Sequence, residues 1–206
     1  MNIFRQCVFV SAVASGLNGG VLSSNFGPGD SFNSSLAFEV GNGGVTDWRI
    51  AVSFKPSETA YLGSIRFAAD HRLFDNDYIV YIANDFGGNP GASIEAIYSV
   101  SFPPRPGIVT VKSATNPLLD ATLTYWLVVL ADAAHSYGFW YANNIGQNGV
   151  TYQNAAQSLT WEHGSFSTPV FEITGVPEPS TISLLAAGLG LTAYMRRRGR
   201  GRPGRS

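Results

Sequence analysis

The sequence predicts an all-β protein, an antiparallel β-sandwich of jelly-roll type, and three observations carry that expectation. Over residues 19–175 no apolar stripe recurs at helical spacing. Trp48-Arg49-Ile50-Ala51-Val52-Ser53-Phe54-Lys55 alternates instead, which places Trp48, Ile50, Val52 and Phe54 on one face of a strand. Short apolar runs follow one another, separated by clusters of Gly, Pro and Asn that punctuate strands.

Taken in order, further strands are expected at Leu62 to Ala68, Tyr78 to Ala83, Ile94 to Val100 and Ile108 to Lys112, then at Tyr137 to Tyr141 and Val170 to Thr174. Leu123-Thr124-Tyr125-Trp126-Leu127-Val128-Val129-Leu130 is apolar at successive positions, as a strand covered on both faces would be. Gly41 to Gly44, Asp85 to Gly91 and Phe102 to Gly107 read as loops or sheet edges. The prolines in the last two cannot donate to a central ladder.

The chain has 206 residues, one Cys, and 13 Lys+Arg against 14 Asp+Glu, a net charge of −1. That near-balance hides a division. Six Arg (196, 197, 198, 200, 202 and 205) lie within the last eleven positions, whereas residues 15–175 hold six basic and thirteen acidic side chains, a net of −7. An acidic body with a basic tail argues for an address or anchor at the end, and against a nucleic-acid partner, which needs a basic face.

Residues 1–14 follow the plan of a signal peptide. Arg5 precedes the apolar run Cys7 to Ala14, and Ala12-Val13-Ala14 offers small residues for cleavage. Removal of this segment takes away Cys7, and with it any Cys nucleophile, thiolate zinc site or disulfide. A first strand at Cys7 to Val10 is the competing reading.

At the other end stands Val176-Pro177-Glu178-Pro179-Ser180-Thr181, then the uncharged run Ile182 to Met195, then Arg196-Arg197-Arg198. The prolines hold the chain extended, and Ser180 or Thr181 can cap a helix beginning at Ile182. Fourteen helical residues reach roughly 21 Å, short of a bilayer core near 30 Å. The Arg cluster extends that reach by snorkelling and stops translocation, so a transmembrane helix over 182–195 is expected. This three-part tail resembles a PEP-CTERM sorting signal. The resemblance implies processing by exosortase, a membrane protease, near Pro177, Glu178 and Pro179. It implies an inner-membrane-anchored intermediate in a Gram-negative bacterium and a final place at the cell surface or in the extracellular matrix.

The body has its own resemblance. Ala51 to Phe54, Tyr78 to Ile82 leading into Asn89-Pro90-Gly91, Tyr125-Trp126-Leu127-Val128, Trp140, Gly149 and Trp161 together resemble the choice-of-anchor domains over about residues 21–175. That resemblance implies a β-sandwich and a surface location, and no chemistry.

Residue patterns for catalysis are thin. His71, His135 and His163 have no metal-ligand spacing, and neither a Gly-x-Ser-x-Gly elbow nor a phosphate-binding Gly loop occurs. No catalytic residue, metal site or cofactor is assigned. Asp70-His71-Arg72-Leu73-Phe74-Asp75-Asn76-Asp77 reads chiefly as a solvated loop with Asx-turns, with calcium near Asp75 and Asp77 left open. Pairing of Asp75 with Asp132 or Glu162 for glycoside hydrolysis is conceivable but has no pattern behind it.

Trp126, Trp140, Tyr141, Tyr152 and Trp161 favour core packing over a ligand platform. Trp140, Tyr141, Asn143 and Asn144 form the candidate sugar-facing patch, because polar loop residues follow the rings. The expectation is a non-enzymatic exported protein: signal peptide 1–14, sandwich 15–175 and sorting signal 176–206. Its partners are exosortase and, transiently, the inner membrane. The rival readings are a carbohydrate-binding module for exopolysaccharide and a polysaccharide-acting enzyme.

Overall fold

The computed structural model describes residues 20–42, 46–132, 135–156, 158 and 160–176. The expected signal segment, the Pro177–Thr181 motif, the helix over 182–195 and the Arg cluster lie outside the described residues. Within them are thirteen strands and no helix: β1 (Val21–Ser24), β2 (Asn33–Asn42), β3 (Asp47–Phe54), β4 (Ala60–Phe74), β5 (Tyr78–Phe86), β6 (Asn89–Val100), β7 (Gly107–Lys112), β8 (Leu118–Leu119), β9 (Tyr125–Ala131), β10 (Ser136–Ala142), β11 (Thr151–Asn154), β12 (Glu162–His163) and β13 (Phe171–Val176).

All thirteen join one antiparallel sheet in the order β1-β13-β4-β10-β2-β3-β9-β5-β6, with β7 and β8 also on β4 and β11 linking β3 to β12. The long β4 pairs β13 along Tyr61 to Phe67 and β10 along Ala69 to Phe74. Its opposite edge takes β7 and β8. The expectation of two stacked sheets thus resolves into a coarser result, a single antiparallel sheet that curls.

The curl turns at Gly41. β2 and β3 pair only at Gly41↔Trp48 and Asn42↔Asp47 before β2 departs to β10 and β3 to β9. Gly41 has φ +93°, and a Cβ there would strike the Ser136 carbonyl and the Ala131 side chain. Only glycine fits this bend.

The two limbs meet across one apolar core. Phe54 of β3 packs on Phe171 of β13, with ring centroids 5.9 Å apart. Phe102, from the β6–β7 loop, stacks on Tyr78 at 3.7 Å and meets Phe67 edge-on at 5.6 Å. Ile50, Val52 and Phe54 join this core as their alternation predicts, while Ala51 faces a second cluster with Ala83, Trp126 and Val128. Tyr125 to Val129 are buried at every position, as expected of a strand covered on both faces, whereas Leu123 and Thr124 precede the strand and are exposed.

Three loop expectations are corrected. Gly41 and Asn42 end β2, with Gly41 paired to both Trp48 and Tyr137. Asp85 to Gly91 is a hairpin whose strands run through Asp85, Phe86, Asn89 and Pro90. Only Gly87 and Gly88 turn, at φ +62° and +83°, the positive pair that a tight twisted hairpin needs. Pro90 is tolerated because β6 ends the strand order. Asp70, His71 and Arg72 lie within β4 and Asp70 is fully buried, so this stretch is not a solvated loop. β2 goes beyond the expected strands: its alternating Leu36, Phe38 and Val40 follow the polar Asn33-Ser34-Ser35.

Candidate functional site at the chain's exit from the sheet

β13 carries the chain out of the body towards Pro177, and it is gripped on both sides. Asn25 donates to Thr168 Oγ1 (3.1 Å) and the Pro169 carbonyl (2.9 Å), and its Oδ1 accepts from the Phe171 amide at 2.6 Å. Asn25 is buried with all these partners met, so the entry to β13 is fixed by a satisfied polar knot. Phe171 and Ile173 point into the core.

On the other face Arg66 donates to Glu172 at 2.7 Å and to Asp30 at 2.6 Å. These bonds, first that to Asp30, raise the Arg66 pKa and keep the cation in place over the Phe26 ring.

The last residues of β13 are held as firmly. The Gly175 amide donates to the Gly20 carbonyl at 2.8 Å, and Gly175 and Val176 lie opposite Leu62 and Tyr61. A Cβ on Gly175 would come within 3.1–3.2 Å of Ala60 and Leu22, so those side chains would have to shift by a few tenths of an ångström to admit one. The chain therefore enters the described body at Gly20 and leaves it at Val176 side by side.

The expected sugar-facing patch is redistributed. Trp140 is fully buried, its indole N–H donating to the Val170 carbonyl at 2.8 Å, and Tyr141 is 2% exposed. Neither presents a ring face to solvent, because Trp140 packs on Phe67 in the main core and Tyr141 packs against Phe32 in an apolar cluster with Ala68 and Val170. Asn143 is buried and closes its turn by donating to Gln147 and Thr168 while accepting from Ile145 and Gln147. Only Asn144 is exposed, donating to Ser31 Oγ.

Sequence patterning missed the buried network behind this patch. Asp70 accepts from Tyr141 (2.9 Å) and Arg72 (2.8–3.0 Å), and Arg72 also donates to the Tyr141 hydroxyl. Burial first, then the bond to Asp70, pushes the Tyr141 pKa up. A side chain two positions along a strand and another on its neighbour share a face, but the strand register is needed to see it.

A cluster of half-buried rings lies elsewhere. Trp48 and Tyr152 meet edge-on at 5.9 Å in a cleft of about 360 Å³ lined also by Leu36, Phe38, Ile50 and Phe166. Its walls are apolar apart from Glu39 at the rim.

Of the carboxylates considered for hydrolysis, Glu162 lies on β12 opposite Tyr152, and Asp75 follows β4 beside His135. Asp132 is bonded through its amide to the Asp77 carbonyl. Among the described residues no three His, Cys, Asp or Glu side chains gather as a metal site would require.

Fold and exit together define a class: an all-β body whose last described strand, β13, ends at Val176. Residues 175–200 match the PEP-CTERM protein-sorting motif. A segment of this kind marks a chain exported through a membrane-anchored intermediate and processed by exosortase. The chain matches no curated protein and no solved structure.

Proposed function

We propose that this protein is a non-enzymatic component of the cell surface or extracellular matrix, delivered by its C-terminal signal and released by exosortase. One observation carries the reading: the matched segment begins on Gly175 and Val176, the hydrogen-bonded end of β13. A cut beyond Val176 would leave every strand pairing of the body intact. The body itself, a sandwich of choice-of-anchor type in this reading, acts by contact within a polysaccharide matrix.

Intact-mass measurement of the surface-located protein tests delivery. The expected chain ends near Pro177 to Thr181, and recovery of a surface form that keeps Arg196, Arg197 and Arg198 rejects the proposal. Contact is tested by co-sedimentation of the released protein with the host's matrix polysaccharide. Release of reducing ends from that polysaccharide would instead make the body an enzyme.

A further inference from the structure

The outer face around the chain's exit carries an apolar patch with nothing over it in the described residues. Val176 lies opposite Tyr61 across β13 and β4, and Tyr61 lies opposite Leu118 across β4 and β8. Directly opposed residues of antiparallel strands share a face, so these three side chains form one row. Val21 extends it through the next row, in which Val21, Thr174, Ser64 and Lys112 are successive cross-strand partners. Exposure is 53% for Val21, 39% for Tyr61, 49% for Leu118 and 42% for Val176. Exposed apolar residues scattered singly need no explanation, whereas four gathered round one exit mark a contact surface.

The chain beyond Val176 says what lies against it. Only residues 177–181 separate the patch from the apolar run Ile182 to Met195, and five residues span at most about 18 Å when fully extended. A body tethered that closely to a membrane segment has its exit face within reach of the lipid headgroups. We infer that the Val21, Tyr61, Leu118 and Val176 patch rests on the phospholipid interface of the membrane while the sorting signal is anchored. This inference rests on the reading of 182–195 as the membrane-held part of that signal.

The chemistry of the patch suits that partner. Tyr61 is an amphipathic ring of the kind enriched at headgroup level, and Val and Leu supply shallow apolar contact. Exposed Lys112 borders the patch and can reach a lipid phosphate, with Glu58 beside Gly20 as the neighbouring anion. The rest of the body, acidic overall, is repelled by anionic lipid, so contact is confined to this face and ends when the tether is cut.

The test uses the full chain carrying Cys7→Ser and one new cysteine at Tyr61, Leu118 or Val21, labelled with an environment-sensitive fluorophore. It is reconstituted in vesicles of phosphatidylethanolamine and phosphatidylglycerol, with and without nitroxide-labelled lipid. A shallow interfacial contact should give quenching at least about twofold greater at these positions than at Tyr98→Cys on the β6 edge. Adding Tyr61→Asp and Leu118→Asp should return the Val21→Cys signal to the Tyr98→Cys level, with near-ultraviolet Trp signals confirming the fold.

Flotation reports separately on the tether. A chain that does not float with the vesicles overturns the membrane reading of 182–195, and the patch assignment with it. Flotation with equal quenching at all positions overturns the patch alone. Quenching that arises only when exosortase is co-reconstituted assigns the patch to the protease and rejects lipid.

Discussion

Trp140 and Tyr61 are both aromatic residues on paired strands, yet their surroundings are opposite. Trp140 is fully buried, with its ring on Phe67 and its N–H spent on Val170. Tyr61 lies where β4 runs out between the short β8 and the end of β13, and it is left 39% exposed by the described residues. Residue type is therefore a poor guide to role in this protein. What separates a core ring from a contact ring is whether other side chains pack over its face of the sheet.

The strongest way to break that comparison is to truncate both rings. Trp140→Ala removes a fully buried side chain and is expected to cost about 3–5 kcal/mol in urea unfolding. An unfolding midpoint unchanged from the parent would show that Trp140 is not core.

A smaller loss is expected for Asp70→Ala. It deprives the buried Tyr141 hydroxyl of its acceptor, at about 1–3 kcal/mol, with Arg72 rehydrating because it is partly exposed. Tyr141→Phe in the same background should then cost little more, and full additivity of the two changes would argue against a shared network.

Alkali probes the core side through its phenols. Burial, and next the hydrogen bond to Glu39, lift the Tyr137 pKa from 10.0 to about 12, and burial pushes Tyr78 and Tyr81 up as well. A phenol with a raised folded-state pKa stabilises the fold fully below its unfolded value. The stability is lost as pH climbs from about 10 through the folded value, because the native state there binds more protons than the unfolded one. Urea midpoints should fall from pH 10 towards pH 12, and Tyr137→Phe should make that fall shallower.

The smallest effect is expected at the exit. Tyr61→Ser should cost no more than about 1 kcal/mol in solution, well below the loss at Trp140, since the ring is already 39% exposed. A large loss there would mean that the ring is structural and that the two regions are alike.

Much of the fold was legible because alternation reports a half-covered strand directly: Ile50, Val52 and Phe54 all reach the core. Continuous apolarity also identified β9 as covered on both faces. The reading failed where polar residues are buried. Asp70 and Arg72 look like loop residues until β10 brings Tyr141 across to satisfy them. Asn143 likewise looks like a sugar-binding amide until its turn folds back on Thr168. Polar burial depends on partners 25 to 71 residues away, which no local pattern encodes.

Sequence by itself determined the all-β class and the C-terminal address. Both are local properties: a period of two along a strand, and a proline motif, an apolar run and an Arg cluster in immediate succession. Tertiary structure alone decided that the sheet curls at Gly41, that Trp140 is core, and that Gly20 and Val176 meet at one edge. It also gathered Val21, Tyr61, Leu118 and Val176, distant in the chain, around the exit of that address. Strand pairing across long sequence separations makes those choices, because register alone sets which side chains share a face.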